Sequence, residues 1–195
     1  GSNIYSWGER LNAASRYGYT PDDFFETGHV YTNAFTLSGG TDRNQTYFSA
    51  AAVNSDGIIP NNEYDRYNFT FRNTSYFLND KLRLDASASY IYQQDQNMTN
   101  QGVYSNPLVP AYLFPRGGDW NYYRDNYEIY DPNLNANVHN WVNTSLEQFD
   151  NPYWILNRQK PISERNRYEF GGQVRYDIIE GLSVTGRMRY ERADD

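Results

Sequence analysis

The chain contains no cysteine, which excludes disulfide stapling and thiolate metal sites. Histidine is almost as scarce. His29 and His139 are the only two, far apart and without a neighbouring ligand pattern, so the usual imidazole-based metal and general-base constellations are not expected. No stretch approaches the ~18 consecutive apolar residues of a membrane helix. A basic excess is missing too: 17 Lys and Arg against 24 Asp and Glu give a net charge of −7, the wrong sign for gripping nucleic-acid phosphates. GxSxG, Walker and HExxH patterns are absent. The expectation is a protein without enzymatic activity, cofactor or nucleic-acid partner. Gly1-Ser2 reads as an arbitrary start with no secretory leader.

Aromatic rings, by contrast, are abundant: 20 Tyr, 10 Phe and 4 Trp, in a chain whose mean hydropathy is −0.89. Many rings in a chain that is polar on average suit strands with one greasy and one wet face. Carbohydrate-binding β-sandwiches share that composition.

Residues 3–30 lack periodicity and carry the turn-formers Gly8, Gly18, Pro21 and Asp22. Alternation of period 2 then begins. Phe35 and Leu37 share one face, Thr36 and Ser38 the other, before a turn at Gly39-Gly40-Thr41-Asp42. A run from Gln45 to Val53 follows, then a loop over 54–63. Tyr67, Phe69 and Phe71 alternate with Asn68, Thr70 and Arg72. After a break at Asn79-Asp80, Leu82, Leu84, Ala86, Ala88, Tyr90 and Tyr92 alternate with Arg83, Asp85, Ser87 and Ser89. Alternation is lost across 96–163 and returns with Tyr168, Phe170, Val174, Tyr176 and Ile178 set against Glu169, Gln173, Arg175 and Asp177. Past Glu180-Gly181, Leu182, Val184, Met188 and Tyr190 oppose Ser183, Thr185, Arg187 and Arg189.

These runs predict an all-β fold, an antiparallel meander of about six strands near 33–39, 45–53, 64–77, 81–94, 165–178 and 182–192. The organisation is a loop over 1–32, four strands over 33–94, a long irregular loop over 95–164, and two strands over 165–193. Turns near 40, 79 and 180 are short, and the connections between them are longer. That ordering is the layout of outer-membrane barrels, with long extracellular loops. The alternative is a soluble carbohydrate-binding β-sandwich, whose polar faces would meet bulk water.

The strings Phe24-Phe25-Glu26-Thr27-Gly28, Ser38-Gly39-Gly40-Thr41, Tyr47-Phe48-Ser49, Gly57-Ile58-Ile59-Pro60 and Tyr64-Asp65-Arg66-Tyr67-Asn68, in this order, resemble the barrel of SusC/RagA-type TonB-linked (TonB-dependent) outer-membrane transporters soon after the plug domain. Phe149-Asp150-Asn151-Pro152-Tyr153-Trp154 followed by Arg165-Asn166-Arg167 resembles a later stretch of the same barrel. The resemblance spans roughly 20–193. It implies a fragment of a larger importer in the bacterial cell outer membrane, taking up oligosaccharides or peptides. It also implies a SusD-like surface lipoprotein as lid, a TonB complex reached through a plug that lies outside these residues, and a lipid bilayer around the barrel.

Among candidate contact residues, the aromatic-rich loop stands out. Trp120, Tyr123 and Trp141 lie among Asn and Asp, and ring faces beside amides and carboxylates suit a sugar or the lid. The plain alternative is that these rings form the loop's own small core. Asp131-Pro132-Asn133-Leu134-Asn135 starts like a Ca²⁺ loop, but Ala136 and Val142 stand where an EF-hand needs Gly and Glu, so it reads as a turn and no metal site is expected. Asn-x-Ser/Thr triplets begin at Asn44, Asn68, Asn73, Asn97 and Asn143, as chance allows in so Asn-rich a chain. Arg83, Arg175, Arg187 and Arg189 fall on polar strand faces, within reach of Asp85, Glu169 and Asp177.

Overall fold

In the computed structural model, which describes residues 17–142 and 149–195, period-2 alternation becomes a ladder. The long strands are β1 (His29–Thr41), β2 (Asn44–Asp56), β3 (Glu63–Phe77) and β4 (Leu82–Gln96). After an excursion carrying a small hairpin, β5 (Glu128–Asp131) and β6 (Ala136–His139), come β7 (Ile162–Ile179) and β8 (Leu182–Asp194). The six long strands form one antiparallel meander in the order β1-β2-β3-β4-β7-β8. The sheet is not closed into a barrel, so β1 and β8 are its edges. The turn expected at Gly8 and the triplet at Asn143 lie outside the described residues.

The strands exceed the sequence-based limits at their ends. β1 starts at His29 and β7 at Ile162, because His29–Thr32 and Ile162–Glu164 mix polar and apolar residues and hide the alternation. The turn expected at Gly39–Asp42 is also displaced. Pairing continues through Gly40↔Gln45 to Thr41↔Asn44, leaving Asp42-Arg43 as a two-residue loop. Gly40 is needed inside the strand. Its φ is +157° and a Cβ there would lie 2.1 Å from the Asn44 carbonyl oxygen. Between β3 and β4, Leu78, Asn79 and Asp80 all take positive φ, a conformation Asn and Asp tolerate through local side-chain hydrogen bonding.

The chain divides into two compact units. One is the sheet, from His29–Asp56, Glu63–Asp95 and Ile162–Asp195. The other gathers Gly1–Gly28, Gly57–Asn62 and Gln96–Pro161. The expectation of one irregular loop over 95–164 is corrected here. That stretch holds α1 (Leu108–Leu113), α2 (Trp120–Asp125), the β5–β6 hairpin and a one-turn helix α3 (Pro152–Trp154) that runs into a π-helical turn over Ile155–Gln159. Elements of three to six residues are too short to print a period, so the pattern reads as irregular. Among the described residues, no helix is long and apolar enough to cross a membrane.

Candidate functional site

The loop-rich unit is built around Trp120. Asp119 caps α2, its carboxylate accepting from the Tyr122 amide at 3.0 Å. That cap points the indole inward, where it is 4 % exposed. Tyr19 stacks on it at 4.4 Å, and Phe114, Tyr153, Trp141 and Phe24 surround it at centroid distances from 5.1 to 6.0 Å. Edge-to-face and stacked pairs each add ~1 kcal/mol to plain burial. Trp141 is 6 % exposed, while Tyr123 is half-buried at the rim, 5.5 Å from Trp141. The structure therefore brings Trp120, Tyr123 and Trp141 together, and it does so as a packed core with two of the three rings enclosed.

Polar groups lock this core. The Tyr19 hydroxyl donates to the Ala111 carbonyl at 2.7 Å, and burial pushes its pKa upward. Burial likewise raises the Tyr153 hydroxyl, with the Trp120 indole opposing. Asn151 is fully buried. Its side-chain amide donates to the Tyr123 and Asn140 carbonyls at 2.8 Å each, and its side-chain oxygen accepts from the Tyr153 amide. Asn97 is as central. With φ of +55°, it donates its side-chain amide to the Asn61 and Leu156 carbonyls at 2.9 and 3.0 Å, and its backbone N–H to Pro161. Neither asparagine was singled out as a site by sequence. Asn97 entered only as the start of an Asn-x-Thr triplet, and its enclosed, doubly engaged amide leaves no room for a glycan. His139 lies 3.6 Å from Asp150, and His29 sits on β1. The Asp131 segment is the β5–β6 turn: the Asp131 carboxylate accepts from the Asn133 amide at 2.8 Å. Among the described residues, no three His, Cys, Asp or Glu gather as a metal site.

The sheet has two contrasting faces, and register defines them. Directly opposed residues share a face, so Phe35↔Ala50↔Phe69 and Leu37↔Phe48↔Phe71 are continuous rows. Stacking of Phe69 on Tyr90 and of Tyr67 on Tyr92 carries them onto β4, and Tyr90 against Tyr168 carries them onto β7. Phe170↔Tyr190 and Tyr176↔Val184 complete them on β8. One face is thus an apolar band across all six strands, and its large side chains stand in the open: Phe69 is 43 % exposed, Phe170 52 % and Met188 76 %. Tyrosines gather toward one end, at Tyr31, Tyr67, Tyr90, Tyr92, Tyr168 and Tyr190, the end from which the long connections leave.

The opposite face is a charged ladder. Arg83 meets Asp85 at 2.9 Å, Arg175 meets Asp177 at 3.1 Å, and Arg189 meets Glu169 and Glu191 at 3.4 Å. Arg167 also pairs with Glu169 and Glu191. Arg187 turns instead to the Gln173 side-chain oxygen at 3.0 Å. In water such pairs are worth ~0–1 kcal/mol each, so the ladder orders the face more than it stabilises the fold. No known family model matches the chain, and no curated protein matches it.

Proposed function

We propose that the six strands are part of the wall of a large outer-membrane β-barrel, a section of a SusC/RagA-type TonB-linked importer of oligosaccharides or peptides. The observation that carries this reading is the exposed apolar band with a charged ladder behind it. A lipid-facing strand needs hydrocarbon on one side and water on the other, alternating residue by residue. The dimensions agree. From Leu82 to Tyr92 on β4 the band runs ~33 Å at ~3.3 Å per residue, or ~25 Å along the membrane normal at the ~40° tilt of such strands, the height of a barrel's apolar belt. The tyrosine-rich end supplies an interfacial girdle. A soluble sandwich would bury these rings under a second sheet, whereas they stand open among the described residues.

The reading requires further strands. β1 and β8 each carry 13 residues of ladder, and hydrocarbon does not satisfy free N–H and C=O groups. The rest of the barrel, the plug that engages TonB, and a SusD-like lid belong to the same proposal. The loop-rich unit is then an extracellular loop with a folded core.

These residues carry no cysteine, and any cysteine elsewhere in the full-length chain is first changed to serine. Single Phe69→Cys, Phe71→Cys, Asn68→Cys and Thr70→Cys variants are made in the natural full-length chain, in cells. A membrane-impermeant maleimide is expected to label positions 68 and 70, and a lipid-soluble one positions 69 and 71. Equal aqueous labelling at all four positions overturns the barrel.

A further inference from the structure

The charged face has a gap in it. The Thr74–Asp85 hydrogen bond at 2.7 Å and the Phe69–Tyr90 stack fix the register of β3 against β4, which sets Ser87 across from Arg72. Gly171 lies beside Ser87 on β7, where a Cβ would come 2.6 Å from the Ser87 hydroxyl oxygen. Gly171 in turn pairs with Arg189. One cross-strand row therefore reads Arg72, Ser87, Gly171, Arg189: a long cation, a short hydroxyl, no side chain, a long cation. The result is an open recess of about 480 Å³, bordered by Thr70, Thr74 and Arg187 as well.

Three arginines, Arg72, Arg187 and Arg189, and two carboxylates, Asp85 and Glu169, line the recess, an excess of one positive charge. Among the described residues Arg72 has no carboxylate within 4 Å. Arg187 bonds a neutral amide, and one Arg189 nitrogen is shared between Glu169 and Glu191 at 3.4 Å each, leaving the rest of its donor fork for a ligand. The charge of Asp85 is met by Arg83, and its carboxylate also accepts from the Thr74 hydroxyl. Three strand spacings separate β3 from β8, ~14 Å, a span across which two long arginine side chains bordering the recess can converge on one small group with their planar donor forks. This concentration of cationic groups stands in a chain of net charge −7.

We propose that the gap is a seat for a small oxyanion group, a carboxylate, sulfate or phosphate carried by a solute, held between Arg72 and Arg189 above the Ser87 hydroxyl. The seat follows from side-chain rows of the sheet and does not depend on the barrel. If the sheet lines a wet passage, the seat gives that passage a preference for acidic solutes.

The test is equilibrium binding to the full chain in detergent, with inorganic sulfate, glucuronate and glucose as probes. Glucuronate is expected to bind and to be displaced by sulfate, with glucose at least tenfold weaker. Sulfate binding without glucuronate binding supports the seat with a free anion as its ligand. Arg72→Gln and Arg189→Gln should each weaken binding at least tenfold. Ser87→Leu should abolish it by filling the gap with every charge kept, and Arg43→Gln, on the β1–β2 turn, should leave it unchanged. Ser87→Ala is compatible with any strand and should cost a few-fold, with affinity falling as NaCl rises. No binding by the unmodified chain, equal binding of glucose, or affinity indifferent to Arg72→Gln and Arg189→Gln overturns the proposal. A chain that binds glucuronate through these arginines yet labels from water at position 69 keeps the seat and loses the barrel.

Discussion

Replacing Asn97 tests how the loop-rich unit is held together. Its side chain is almost wholly enclosed and donates to two carbonyls, those of Asn61 and Leu156. Asn97→Ala removes both bonds, at ~0.5–1.5 kcal/mol each, although the Asn61 carbonyl keeps the Gln96 side-chain amide as a donor at 3.1 Å. It also asks a residue with a Cβ and no compensating hydrogen bond to hold φ of +55°, ~1 kcal/mol more. The expected loss is ~2–4 kcal/mol. Asn97→Gly loses the same bonds but adopts the backbone freely, so it should be less destabilised than Asn97→Ala by ~1 kcal/mol. Trp120, Trp141 and Trp154 belong to this unit, and the sheet segments carry no tryptophan. Tryptophan fluorescence during urea unfolding therefore reads it without interference from the sheet. An Asn97→Ala loss under ~1 kcal/mol, or identical midpoints for the alanine and glycine variants, refutes the assignment of Asn97 as the unit's polar anchor.

Tyr19 and Tyr153 make the same unit alkali-sensitive. Their pKa values are raised by burial above the ordinary 10.0. The folded state therefore holds the neutral phenol, and the stability it contributes is complete below about pH 10 and lost as pH rises past that value. Tyr19→Phe should cost ~1 kcal/mol at neutral pH, by leaving the Ala111 carbonyl unpaired, and should flatten the alkaline loss in a fluorescence titration; an unchanged slope refutes the cause. For the proposed barrel wall, Phe69→Arg should destabilise the bilayer-inserted protein by ~2–4 kcal/mol if it lies near the midplane, while Thr70→Arg on the other face should be tolerated. The heat-modifiable gel mobility of barrel proteins reports both.

The strands were legible because they are long and two-sided: Leu82 to Tyr92 repeats its pattern five times over. Alternation does not say whether the apolar side meets lipid, a second sheet or a helix, and only the openness of Phe69, Phe170 and Met188 bears on that. The loop-rich unit was illegible for the opposite reason. α1 and α2 each span fewer than two turns, and their boundaries are set by tertiary contacts such as Tyr19 to Ala111. Trp120 and Trp141 drew notice as rings among polar neighbours, a pattern that a small core and a sugar site share. Asn97 and Asn151 left little trace. One asparagine among many carries no sign that it will be buried, although Asn151-Pro152 does mark a helix start. The Arg72–Arg189 row depended on register, which no single strand reveals.

The loop-rich unit draws on three stretches separated in the chain by pairs of strands, and this has a consequence for how the protein is made. Phe24 emerges from the ribosome early, but its ring neighbours Trp120 and Tyr153 follow only after four strands have been synthesised. Tyr19 must wait across 92 residues for the Ala111 carbonyl. Closing so wide a span adds little equilibrium cost, since the entropy grows only with the logarithm of length, but it delays the event. Until then the early aromatics are solvent-exposed and prone to misassociation, so a nascent chain stalled between Gln96 and Trp120 should need chaperone cover more than one stalled after Gln159.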